Sequence, residues 1–213
     1  PLMIVPLLLR FSHASGKDIV KALALSTLLL GALLSPMLWA IPLGDRSGFL
    51  AYGGGWEMND ALFMIVESFV RFVTTPFTLF EASLENLTRM TVGGILLAWI
   101  ILLLRKPVVD APDIFNRLVL AVGALFMLSP TQFPWYYLWM LPFLALSPRP
   151  SLLLLTPMLP MYYLKFYYSA KGDVDFFHNT LVWVEYIPVL LYSAYEFYRY
   201  RLTPIPTKEN HRA

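Results

Sequence analysis

The chain has 213 residues, 58% of them hydrophobic and 14% charged, with a net charge of +2 and no cysteine. Soluble domains carry roughly 25% charged residues, so too few charged side chains are present to cover a water-facing surface, and the chain reads as an integral membrane protein. Nucleic-acid-binding domains, soluble dinucleotide enzymes and disulfide scaffolds are excluded, as are thiolate metal sites and cysteine nucleophiles.

In chain order, the first element is the apolar run Pro1–Leu9, which ends at Arg10. It is too short for a span, which needs about 20 residues as helix, and no basic stretch precedes it as in a signal peptide. It reads as the tail of a spanning helix, and the chain as the C-terminal part of a longer protein. The runs Ile19–Ala40, Ala61–Val73, Leu87–Leu104, Ile114–Leu128, Tyr136–Leu146, Leu152–Tyr168 and Thr180–Tyr198 follow. Backbone in lipid must satisfy its own hydrogen bonds, which makes such runs helices. The alternating ten-residue pattern of a membrane barrel is missing. The expected fold class is therefore all-α: a polytopic transmembrane helix bundle over residues 1-202, with an interfacial helix on the outer side. The polar tail 203-213, containing Pro204 and Pro206, is expected to be a disordered cytoplasmic segment.

Charge decides the placement of Ala61–Val73, a short run that contains Glu67. With this run not crossing, 11 of the 16 Lys and Arg share one side, leaving Arg46, Arg71, Arg89, Lys165 and Lys171 opposite. With it crossing, the split becomes 7 against 9. The first arrangement follows the positive-inside rule, so this helix lies at the outer interface. Ile41–Asn86, Ser129–Trp135 and Ser169–Asn179 then face outward.

Three outer groups could carry chemistry. The first is Tyr52-Gly-Gly-Gly-Trp56-Glu57-Met58-Asn59-Asp60. Trp56 suits stacking on a sugar face, with Glu57, Asn59 and Asp60 bonding hydroxyls. Equally, Asn59 could cap a helix beginning at Asp60, with Trp56 anchoring the interface. The second is the proline-bracketed turn Ser129–Pro134 with the aromatics that follow, where Gln132, Trp135 and Tyr136 could contact a ligand or form an aromatic belt. The third joins the last two runs. Lys165 and Glu185 sit at similar depth, about 5–8 Å from the helix ends, where ionisable groups mark function by default. They are expected to approach each other, or Lys165 to face an anion, with Tyr162 nearby; a snorkelling Lys165 beside a hydrated Glu185 is the plain alternative. Asp173, Asp175 and His178 read as an exposed charged turn more readily than as metal ligands.

The stretches Phe49–Phe63 and Ser129-Pro130-Thr131-Gln132-Phe133-Pro134-Trp135-Tyr136-Tyr137-Leu138-Trp139-Met140-Leu141-Pro142-Phe143 resemble outer-loop patterns of polytopic GT-C superfamily glycosyltransferases. The nearest branch is the polyprenyl-phosphate-mannose-dependent mannosyltransferases, and the resemblance spans Phe49 to Glu185. It implies transfer of a mannose-like sugar, with inversion, from a polyprenyl-phosphate donor to a glycan or lipid acceptor on the outer face of a bacterial inner membrane. It also implies an acidic base in a first outer loop upstream of Pro1, so no residue here is carried over as the base. No cofactor is assigned, and any divalent metal would belong to that upstream part. A departing polyprenyl phosphate needs a preorganised cation: Lys165 is the first candidate because it is embedded, and Arg71 the second. Trp56, Glu57, Asn59, Asp60, Gln132, Trp135 and Tyr136 are candidates for sugar or acceptor contacts, with Glu185 and Tyr162 in support. Two other classes compete: a transporter or flippase segment for a lipid-linked intermediate, and a non-catalytic membrane subunit. Transporters favour internal repeats; none is visible, and the polar residues gather at one face.

Overall fold

The computed structural model describes residues 15–40, 57–75 and 84–202. The run Pro1–Leu9, Arg46, the glycine-rich stretch to Trp56 and the tail 203–213 lie outside the described residues. The described chain is helical, apart from a single bridging pair, Met58 with Thr131. Three of its helices are long and apolar enough to cross a membrane. The chain divides into two compact units, 1–147 and 148–213.

In the first unit, α1 (Gly16–Ala40) starts from a capping box. The Asp18 amide donates to Ser15 Oγ at 3.3 Å, and the Ser15 amide donates back to Asp18 Oδ2 at 3.3 Å, so two orphan N–H groups of the first turn are satisfied. Among the described residues nothing buries its apolar stretch Gly16–Pro36, which is long and apolar enough to cross a membrane. Helix α2 (Ala61–Thr74) has 14 residues, about 21 Å of helix, against roughly 30 Å of hydrocarbon. Its buried face carries Phe63 and Val70, while Ile65, Phe69 and Phe72 form an exposed apolar stripe beside Glu67 and Arg71.

Helices α3 (Leu84–Arg105) and α4 (Ala111–Leu128) form an antiparallel hairpin on which α2 packs. Asp110 caps α4 by accepting from the Asp113 amide at 3.0 Å. Arg117, almost fully buried, locks the connection. Its guanidinium donates to the carbonyls of Leu103, Lys106 and Pro107 at 2.6–2.8 Å and pairs with Asp113 at 2.7 Å. It thereby supplies donors to carbonyls that the end of α3 leaves without partners. Trp99 Nε1 ties the middle of the hairpin to the Leu120 carbonyl at 3.1 Å.

The expectation of one helix over Tyr136–Leu146 is corrected. A 3-10 helix (Pro134–Trp139) is followed by α5 (Leu141–Leu146). Pro134 and Pro142 each open one of these pieces, because a residue without an N–H fits a helix only in its first turn. Neither piece is long enough to cross.

In the second unit, the expected run Leu152–Tyr168 is likewise broken. It comprises α6 (Pro150–Met158), a 3-10 helix (Leu159–Tyr163) and α7 (Leu164–Ala170). Pro157 and Pro160 delete two backbone donors three residues apart, and the chain tightens at that point. Gly172, with φ +76°, turns the chain into α8 (Val174–Phe176). A π-helical turn (Phe177–Leu181) leads into α9 (Val182–Leu202), so the last helix starts two residues later than Thr180. Helix α9 packs along α6, where Ser151 Oγ donates to Glu196 at 2.5 Å.

Candidate functional site

The first two outer groups meet in the first unit. The Met58 amide donates to the Pro130 carbonyl at 2.8 Å, and the Gln132 amide donates to the Met58 carbonyl at 2.9 Å. A loop before α2 is thus clasped, main chain to main chain, to the turn after α4. Ser129 and Thr131 close that turn locally: Ser129 Oγ donates to the Thr131 carbonyl and accepts from the Thr131 amide. Gln132 is wholly buried, and its Nε2 donates to the carbonyls of Met127 (2.9 Å) and Ser129 (3.1 Å). Its Oε1 has no hydrogen-bond partner among the described residues. Buried polar atoms of this kind are uncommon and call for an explanation.

Asn59 is also wholly buried and holds φ +57°, a left-handed conformation that asparagine tolerates better than other non-glycine residues. The cap reading is corrected here. Helix α2 begins at Ala61, the cap position is Asp60, and Asp60 makes no side-chain cap bond. Asn59 is one position too early and is turned into the core by its left-handed backbone. Asp60, 3% exposed, sits at the positive end of α2, which favours its charge.

Aromatic rings flank the turn. Phe133 and Trp135 stack at 4.4 Å, and Tyr136 and Trp139 at 4.8 Å. A cavity of about 70 Å3 opens beside them, lined by Val122, Leu125 and Phe126 of α4 and by Ser129, Thr131, Tyr136 and Trp139. Its lining is mostly apolar, with hydroxyls from Ser129 and Thr131 on the turn and from Tyr136 on the 3-10 helix.

Arg89 on α3 reaches this loop. It pairs with Glu85 at 2.7 Å and Glu57 at 3.5 Å, and its guanidinium lies 5.7 Å from the centroid of the Phe63 ring. Burial raises the Glu57 pKa, Glu67 and Glu85 raise it further, and only Arg89 opposes them. Arg71, by contrast, is 65% exposed and pairs with Glu67 one turn away on its own helix. The Glu85–Arg89 spacing is legible in sequence as an i,i+4 pair; the approach of Glu57 from 32 residues away is not.

Lys165, Glu185 and Tyr162 all fall in the second unit. Glu185 is wholly buried in the first turn of α9, and Tyr162 is buried on the 3-10 helix, edge-on to Tyr163 and Phe166. Lys165 is half-buried on α7. It lies close enough to His178 to help lower that imidazole's pKa, burial being the larger cause and Asp175 opposing both. Lys171 lies 4.4 Å from the centroid of the Tyr167 ring. Among the described residues no three His, Asp or Glu side chains gather where a metal could sit, so Asp173 and Asp175 belong to no such group. Trp56 lies outside the described residues.

Helices of membrane-crossing length, together with a polar turn and loop clasped by main-chain bonds, define an all-α membrane protein with a candidate binding site. The family described as the MptB C-terminal domain matches residues 66–195, well over half of the chain, and the chain belongs to that family. This makes it a membrane protein of mannosyltransferase type. No curated protein and no solved structure matches it. Gln132, Trp135, Tyr136, Tyr162, Lys165, Glu185, Arg71 and Arg89 lie within the matched region, and Glu57, Asn59 and Asp60 just before it.

Proposed function

We propose that the chain contributes to a glycosyl-transfer site that moves a mannose-like sugar from a polyprenyl-phosphate donor to an acceptor hydroxyl. In this reading the protein crosses the membrane several times, and the site lies on the outer face of a bacterial inner membrane. The clasp between Met58 and the Pro130–Gln132 turn carries the proposal, since it joins the two stretches that resemble glycosyltransferase loops. Asn59, Asp60 and Gln132 shape the base of the site. Glu57, Trp56, Trp135 and Tyr136 contact sugar or acceptor, aromatic faces suiting the C–H faces of a pyranose. Two cations are candidates for balancing the charge that develops on the departing phosphate: Lys165 of the second unit, with Glu185 and Tyr162 holding its surroundings, is the first, and Arg71 of the first unit is the second.

The test is transfer of labelled mannose from a polyprenyl-phosphate donor by the full-length protein. Asp60→Ala is expected to reduce transfer at least tenfold at equal membrane abundance. Unchanged transfer would remove the clasped loop from the site.

A further inference from the structure

Arg89 has donor capacity that its neighbours leave unused. Its Nε and Nη2 donate to Glu85, and Nη2 also reaches Glu57. Nη1, with two N–H groups, takes part in no hydrogen bond among the described residues. The side chain is only 15% exposed and lies over Phe63, so this open edge is held in a fixed direction. The adjoining Glu57 side chain is 39% exposed and joined to Arg89 only by the 3.5 Å contact, which leaves acceptor positions open beside the open donors.

Charge selects the class of ligand. Two carboxylates, Glu57 and Glu85, face one guanidinium, and Glu67 adds to the negative field at Glu57. A phosphate arriving here meets a net negative site. A neutral polyol meets a donor edge and an acceptor edge side by side, the pattern that adjacent ring hydroxyls complement.

We infer that Glu57 and Arg89 form a binding site for the hydroxyls of a neutral sugar unit, Arg89 Nη1 donating to one oxygen and Glu57 accepting from the neighbouring hydroxyl. The identity of the sugar as mannose-like rests on the proposed function; the preference for a neutral polyol over a phosphate does not.

The test uses the full-length protein in lipid nanodiscs, with methyl α-mannoside followed by saturation-transfer NMR and inorganic phosphate as competitor. Mannoside binding is expected to weaken about tenfold or more in Arg89→Met and in Glu57→Gln, the loss of a hydrogen bond to a charged group, and phosphate is expected to leave the signal unchanged. Equal binding in wild type and Glu57→Gln, no mannoside binding by wild type, or displacement by phosphate would each overturn the inference. Arg89→Met leaves Glu57 and Glu85 uncompensated and risks the fold, so Glu57→Gln, which keeps the Arg89–Glu85 pair, decides wherever Arg89→Met melts early. A protein that binds the mannoside through Arg89 yet transfers no sugar would sink the transferase reading while supporting this site.

Discussion

The polar groups of the first unit are held by main chain, and those of the second by helix register. Asn59 and Gln132 sit on two segments joined through both backbone groups of Met58. Neither segment can slide without breaking these two main-chain bonds. Lys165, Tyr162 and Glu185 sit on or beside a 3-10 helix and a π turn, where the number of residues per turn departs from 3.6. A change of one residue in either irregular turn would rotate these side chains by roughly 100° without touching a loop. The first arrangement fixes geometry and tolerates little; the second stays adjustable, and π turns are frequent at functional sites.

The largest expected effect separates the two on activity. Lys165→Ala should insert normally and lose about 10²–10³-fold in transfer from a lipid donor, the range for removing one preorganised charge-stabilising group. Full transfer at equal abundance would take Lys165 out of the site. The same variant should raise the His178 pKa toward 6.5 yet leave it lower, because burial is the larger cause of its depression. NMR titration of the imidazole reads this directly.

Gln132→Leu tests the clasp on stability. It removes both donors to the carbonyls of Met127 and Ser129, and about 2–3 kcal/mol of stability should be lost. A melting temperature equal to wild type would mean that the turn holds without its carboxamide. Asn59 sharpens the point: Asn59→Ala should cost about 1 kcal/mol more than Asn59→Gly, since both lose the same side chain and only glycine adopts φ +57° freely. Equal costs would show that the left-handed backbone relaxes.

The smallest effect is one of pH. Folding raises the pKa of Glu57 above 4.5, so the folded state disfavours its charged form. Its contribution to stability is fully present below 4.5 and is lost as pH rises through the raised value. Glu57→Gln should therefore melt at or slightly above wild type at neutral pH, with the gap closing below pH 4.5. A gap that widens on acidification would mean that the Arg89 contact outweighs burial.

Much of this architecture is readable from residues alone. Leu87–Leu104 and Ile114–Leu128 are predominantly apolar, with Arg89, Asn116 and Arg117 near their ends, and fall within α3 and α4. The length of Ala61–Val73 and its Glu67 fit a helix too short to cross, as α2 is. The breaks in Tyr136–Leu146 and Leu152–Tyr168, both read as continuous helices, are only half legible in the sequence. Proline announces a weak point, but whether a chain kinks, stops or tightens into a 3-10 turn depends on what packs around it; α1 and α9 run straight through Pro36 and Pro188. The Met58–Gln132 clasp and the approach of Glu57 to Arg89 are long-range, and no local pattern specifies them. The left-handed Asn59 lay within reach, since an asparagine just before a helix can be a cap or a turn, but sequence offers no means of choosing.

Arg117 has a consequence for how the chain enters its membrane. Its carbonyl partners belong to Leu103, Lys106 and Pro107, all made before it during synthesis. A guanidinium within an apolar segment opposes insertion of that segment by about 2.5–3.5 kcal/mol at the centre of the bilayer, and less near its edge, where this one sits. When α4 emerges, the end of α3 is already presenting its terminal carbonyls, and docking removes the penalty. If both helices cross, they are expected to enter as a pair, the first acting as a template for the second, and a chain with α3 deleted should integrate α4 less efficiently.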